Sequence, residues 1–112
     1  MFNLFNRKSL KDQVLSLLSI AKILGLNQRD INKAAEYIAY REYELCFNIL
    51  ITQMHEYNIE IDNDLYLLIS DIAAKMKLTV EEYSFMKELV RNEHQIPKAV
   101  KDELGKIIKS LK

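Results

Sequence analysis

Apolar residues recur along this chain at intervals of three and four, the spacing that lines one face of an α-helix. Leu10, Val14, Leu17, Leu18, Ala21 and Leu24 form the first such stripe. Ser9 opens it with a hydroxyl that can accept a backbone N–H one turn in, and Asp12 favours the positive end of the helix. Gly25 closes it, since glycine enters the left-handed conformation without steric cost. Asn27 and Asp30 start a second, shorter helix with a narrow stripe of Ile31, Ala34, Ala35 and Ile38, ending near Tyr40. From about Arg41 to Tyr57, Leu45, Cys46, Ile49, Leu50, Gln53 and Met54 trace a third helix, widened by Phe47 and Ile51. A stripe this wide implies burial on two sides, so this segment is expected to be the central helix.

Asn58 to Ile61 breaks the pattern. Asp62 or Asn63 then caps a fourth helix, in which Leu65, Leu68, Ile69, Ile72, Ala73 and Met76 repeat, with Lys75 and Lys77 in its last turn. Thr79-Val80-Glu81-Glu82 has the form of a capping box and predicts a fifth helix carrying Tyr83, Met86, Leu89 and Val90. Ile96-Pro97 starts a last helix, with Leu104, Ile107, Ile108 and Leu111 on one face and lysines on the other. The expected architecture is all-α: a single domain folded as an antiparallel bundle of five to six helices. Residues 1–8 form a flexible arm from which Phe2, Leu4 and Phe5 can dock, residues 9–92 the core bundle, and residues 97–111 a C-terminal helix. Leu18, Ile38, Leu45, Ile49, Leu50, Leu68, Ile72 and Leu89 are the expected core.

Composition agrees with this reading. Two glycines and one proline in 112 residues leave little material for a strand-and-turn fold. A chain of this length buries a core without disulfides. The single cysteine cannot form an internal disulfide and fits a reducing compartment. The first residues lack the uninterrupted apolar core of a signal peptide, and no apolar run approaches the length of a membrane span. The expected location is the cytoplasm, with no membrane partner.

Catalytic motifs are missing from the sequence. Gly25 and Gly105 cannot build a phosphate-binding loop, and one cysteine with two histidines gives no zinc-ligand spacing. Cys46 lies among Leu45, Phe47, Ile49 and Leu50, where a cysteine is far more often a small buried residue than a nucleophile. His55 beside Glu56, and His94 three residues after Arg91, read as helix-end or interface histidines rather than general bases. The chain is not expected to be an enzyme or to need a cofactor or metal.

Charge changes the picture more. The formal net charge is zero, with sixteen acids and sixteen bases, which disfavours a general nucleic-acid binder. The charges are nonetheless segregated. From Glu36 to Asp64 seven acids stand against one base, Arg41, while bases dominate from Met1 to Lys22 and from Lys87 to Lys112. Tyr37, Tyr40, Tyr43, Tyr57 and Tyr66 accompany the acidic stretch. Tyrosine offers apolar area with a polar tip and is enriched at interfaces, and acidic groups steer basic partners.

Within this stretch the chain resembles the small helical immunity proteins of bacterial toxin systems, in particular the MafI-type family. The resemblance rests on Arg41-Glu42-Tyr43-Glu44-Leu45, the run Phe47-Asn48-Ile49-Leu50, Glu56-Tyr57-Asn58-Ile59-Glu60-Ile61, Leu65-Tyr66-Leu67-Leu68-Ile69, Ala74-Lys75-Met76-Lys77-Leu78 and Glu81-Glu82-Tyr83. It covers roughly residues 30–92, with Tyr43 where the family pattern has a tryptophan-like aromatic. The resemblance implies a non-enzymatic protein that binds the C-terminal toxin domain of a contact-dependent or polymorphic toxin and neutralises it inside the producing cell. Many such toxins are nucleases with basic clefts. Glu42, Tyr43, Glu44, Glu56, Tyr57, Glu60, Asp62 and Asp64 are the residues expected to cover such a surface. Two other readings stay open: a helical adaptor using the same face, and a nucleic-acid binder using Lys98, Lys101, Lys106, Lys109 and Lys112.

Overall fold

Local capping sets the helix boundaries in the computed structural model, which describes residues 8–91 and 98–111. Among the described residues there are five α-helices: α1 (Leu10–Ile23), α2 (Gln28–Ala39), α3 (Tyr43–Glu56), α4 (Asn63–Lys75) and α5 (Lys98–Ser110). Two short 3-10 helices, Val80–Glu82 and Ser84–Leu89, lie between α4 and α5. The N–H of Asp12 donates to Ser9 Oγ at 3.1 Å, that of Asp30 to Asn27 Oδ1 at 2.9 Å and that of Leu65 to Asp62 Oδ1 at 2.8 Å. Each bond satisfies an N–H that the helix itself leaves without an acceptor. At the start of α3, Glu42 makes no such bond.

Helices α1 to α4 all end in the same way. The residue just past each end is left-handed: Gly25 (φ 104°), Arg41 (φ 59°), Asn58 (φ 52°) and Lys77 (φ 58°). Its N–H donates to the carbonyl three residues back, and the next N–H reaches the carbonyl five residues back. Those second bonds are Leu26 to Ala21, Glu42 to Tyr37, Ile59 to Met54 and Leu78 to Ala73, at 2.8 to 3.0 Å. This is the Schellman arrangement, which normally folds an apolar residue back onto the helix. Leu26, Ile59 and Leu78 do so and pack into or against the core. Glu42, the corresponding residue after α2, is exposed.

Packing departs from the expected order. The first helix is the hub: α1 packs on α2, α3, α4 and α5, whereas α3 packs mainly on α1, α2 and the second 3-10 helix. Val14, Leu17, Ile20 and Ala21 of α1 are fully buried. Of the expected core, Leu50, Leu68, Ile72 and Leu89 are buried, and Leu18, Ile38 and Ile49 are half-buried against it. Leu45 is 45% exposed and is not a core residue. At 3.6 residues per turn it lies about 160° around α3 from Phe47, and the core-facing arc centres on Phe47, Leu50 and Ile51. Ala35 is likewise exposed.

The expected fifth helix is also corrected. Thr79 N–H donates to Glu82 Oε2 at 2.7 Å, as the capping box requires, but only 3-10 turns come after it. Tyr83, Met86 and Leu89 recur every third residue, and a 3-10 helix aligns residues at that interval. Met86 and Leu89 are buried and Tyr83 is half-buried. Among the described residues the one sheet-like contact is an isolated parallel bridge between Ile61 and Val90. There Ile61 N–H donates to Leu89 O at 2.9 Å and Arg91 N–H to Ile61 O at 2.8 Å.

Polar ties cross the core. Gln13 Nε2 on α1 donates to Asp71 Oδ2 on α4 at 2.7 Å, and Lys75 Nζ lies 3.8 Å from the same oxygen. Gln53 Nε2 on α3 donates to Asp30 Oδ2 on α2 at 3.0 Å. The expected arm at residues 1–8 with Phe2, Leu4 and Phe5, apart from Lys8, lies outside the described residues, as do His94 and the Ile96-Pro97 helix start. Among the described residues no helix is long and apolar enough to cross a membrane.

Candidate functional site

From Glu42 to Ala74 the sequence contains six acids besides the buried Asp71, and not one lysine or arginine before Lys75. The fold spreads this stretch over α3, the turn after it and α4. The fourteen residues of α3 make a rod about 21 Å long. The eight expected contact residues therefore fall into two groups, one at each end of α3. Glu42, Tyr43 and Glu44 sit at its start; Glu56, Tyr57, Glu60, Asp62 and Asp64 surround its end and the start of α4.

Their environments differ. Glu42, Glu44, Glu56, Glu60 and Asp64 are exposed, and Tyr57 is 50% exposed. Tyr43 is half-buried against the core, and Asp62 is committed to capping α4. Glu60 Oε1 lies 3.6 Å from Arg91 Nε, so part of its charge is met within the chain. His55 Nε2 is 3.0 Å from Glu88 Oε2, with its ring set edge-on to Phe85 at 5.0 Å between centroids. Both exposed pairs join the end of α3 to the 3-10 region, and such pairs contribute little to stability.

The tyrosines divide in the same way. Tyr66 belongs to the core, 8% exposed, beside Tyr83 and beneath Lys87 Nζ. Burial pushes its phenol up from the ordinary value, and Tyr83 adds to the effect. Tyr37 is half-buried with Lys33 Nζ 5.2 Å from its ring centre. Tyr40 stands out at 74% exposed. The positions equivalent to it after α1 and α4, Leu24 and Met76, pack against the core, whereas Tyr40 after α2 and Tyr57 after α3 are exposed.

Between those tyrosines the outer side of α3 presents Leu45, Asn48 and Thr52 before reaching Glu56. Periodicity assigns Leu45 to the core and gives no reason to single out Tyr40, Asn48 or Thr52. A helical wheel centred on Phe47 and Leu50, rather than on the broad Leu45 stripe, places Leu45 and Thr52 together on the solvent side.

Cys46 is fully buried, and desolvation pushes its thiol up to about 12, where it holds almost no thiolate at neutral pH. Among the described residues no group of three or more His, Cys, Asp or Glu side chains could hold a metal ion. No family model, no curated protein and no solved structure matches the chain.

Proposed function

We propose that this chain works by binding another protein, as an immunity-type inhibitor that captures the C-terminal domain of a bacterial contact-dependent or polymorphic toxin. The observation that carries the reading is the charge pattern of α3 to α4. Glu42, Glu44, Glu56, Glu60, Asp62 and Asp64 lie at the two ends of α3 with no lysine or arginine between them in the sequence, and exposed Tyr40 and Tyr57 accompany them. Such a surface suits a protein with a basic face, including the substrate cleft of a nuclease. Charge complementarity would speed the encounter, and tyrosine would supply contact area. Nothing in this role requires catalysis or a cofactor, and the partner is a protein rather than nucleic acid or membrane. The resemblance to MafI-type immunity proteins over residues 30–92 points the same way.

The test is calorimetric titration with the toxin domain encoded beside this chain, at two salt concentrations. Tight binding that weakens with salt, together with loss of toxin activity in the complex, is the expected result. No binding at micromolar concentration would refute the immunity reading and favour an adaptor.

A further inference from the structure

Helices α1, α2 and α5 present both signs of charge to solvent. The exposed side of α1 carries Lys11, Asp12 and Lys22; that of α2 carries Arg29, Lys33 and Glu36; that of α5 carries Asp102, Glu103, Lys106 and Lys109. The outer side of α3 differs from these three; like that of α4, where Leu67 is exposed, it lacks charge along its middle, but acids bound it at both ends. Between Glu44 and Glu56 it presents Leu45, Asn48 and Thr52, with Ile49 half-buried along one edge, and no charged residue. Leu45 to Thr52 is two helical turns, about 10 Å. Glu42 and Glu44 bound this strip at one end and Glu56 at the other.

Depletion of charge at the centre with a charged rim is part of what distinguishes the middle of a protein interface from ordinary surface. The rim here has one sign. Arg41 is the single base next to the strip in the sequence, and its left-handed backbone belongs to the turn after α2 rather than to α3.

We infer that the outer side of α3, from Glu42 to Glu56, is a docking surface for a basic amphipathic segment of a partner protein. An apolar ridge of that segment lies along Leu45, Ile49 and Thr52, and its lysines or arginines meet Glu42, Glu44 and Glu56. This deepens the proposed function and rests on its protein-binding half, whether or not the partner is a toxin. It moves the centre of the contact away from Glu60, Asp62 and Asp64, of which Glu60 is paired with Arg91 and Asp62 caps α4.

The probe is a leucine–arginine amphipathic helical peptide, with its leucine–glutamate counterpart as control, titrated into the 15N-labelled full chain. Saturable shifts of the backbone signals of Leu45, Asn48, Thr52 and Glu56, seen with the basic peptide alone, are expected. Thr52→Arg should weaken that binding by about tenfold or more, because it places a like charge at the centre of the contact. Ala35→Arg, which adds the same charge on the exposed side of α2, should leave it nearly unchanged. Circular dichroism of both variants confirms that each remains folded. No saturable binding, shifts centred on Asp62 and Asp64, equal binding of the acidic peptide, or equal weakening by both variants would each overturn the inference. Repeating the comparison with the toxin domain separates the two proposals. A toxin domain that binds wild type and Thr52→Arg alike sinks the docking surface and spares the immunity reading. A peptide mapped to α3 with no toxin binding does the reverse.

Discussion

Replacing Lys77 with glycine should make this protein more stable, although the change removes a side chain and adds no contact. Lys77 holds φ at 58°, and Arg41 holds 59°. A left-handed backbone costs a residue with a Cβ roughly 1–2 kcal/mol. Glycine avoids that cost, but its freer unfolded chain cancels about 0.5–1 kcal/mol of the gain. The net expectation for Lys77→Gly or Arg41→Gly is a gain of roughly 0.5–1 kcal/mol. The bonds of each helix end come from backbone groups, so they survive the substitution. Asn58→Gly should gain only a few tenths of a kcal/mol, since asparagine tolerates this conformation better. Gly25→Ala runs the other way. An added Cβ there meets no atom within 4 Å, so its cost is conformational alone, about 1 kcal/mol or more. The Arg41→Gly and Lys77→Gly changes lie at the ends of different helices and should add in the double variant. Urea denaturation measures the series: the midpoint should rise in the order Asn58→Gly, then the single Arg41 and Lys77 variants, then the double, at constant slope. If Arg41→Gly and Lys77→Gly are neutral or destabilising while Gly25→Ala is harmless, the reasoning about these helix ends is wrong.

Leu50→Ala should cost about 2–5 kcal/mol by opening a core cavity, whereas Leu45→Ala, at a 45% exposed position, should change stability by well under 1 kcal/mol. The same urea titrations compare the pair. Asp71→Ala removes the acceptor of Gln13 Nε2 and a charge facing Lys75, and should cost about 1–3 kcal/mol, read as a lowered thermal midpoint. Cys46 predicts an alkaline effect. Its thiol titrates from 9.0 when unfolded and near 12 when folded, so its contribution is fully present below pH 9. Above that, the unfolded chain sheds a proton that the folded chain keeps, and stability falls by about 1.4 kcal/mol per pH unit. Cys46→Ala should flatten that fall in urea titrations on either side of pH 9, and native Cys46 should react with thiol reagents only as fast as the protein unfolds.

Helix starts are legible in the sequence because a cap is a local device. Ser9 and Asn27 announce themselves by their own side chains and by the apolar stripes that begin just after them, and the start of α4 narrows to Asp62 or Asn63, of which Asp62 is the cap. Gly25 announces the end of α1 in the same manner. The ends at Arg41, Asn58 and Lys77 use the same backbone turn with residues that do not advertise it. The Thr79–Glu82 box is sound as local chemistry but misleads as the start of a long helix, because a three-residue repeat at Tyr83, Met86 and Leu89 resembles a helical stripe when few turns are available. Which way α3 faces is not legible. Apolar residues occupy most of its circumference, so only the placement of α1 and α2 decides that Phe47 points inward and Leu45 outward. The acidic character of the candidate surface is visible from composition. Its division between the two ends of α3 is a matter of helix length and depends on where α3 begins.

The position of α1 as hub bears on how the chain assembles. Among the described residues every helix that packs on α1 comes after it in the sequence, and Lys98, where α5 begins, comes 75 residues after Ile23. Pairing α2 with α3 closes only a short loop, so that hairpin can form early. The α1–α5 contact closes one of the longest loops in the fold and carries a correspondingly larger entropic cost. During synthesis α1 therefore waits with part of its apolar face uncovered until α5 has emerged. Molecules interrupted before that point would expose the surface that Leu104 and Ile108 normally help to close, which makes the unfinished chain, more than the finished one, a target for chaperones and for aggregation.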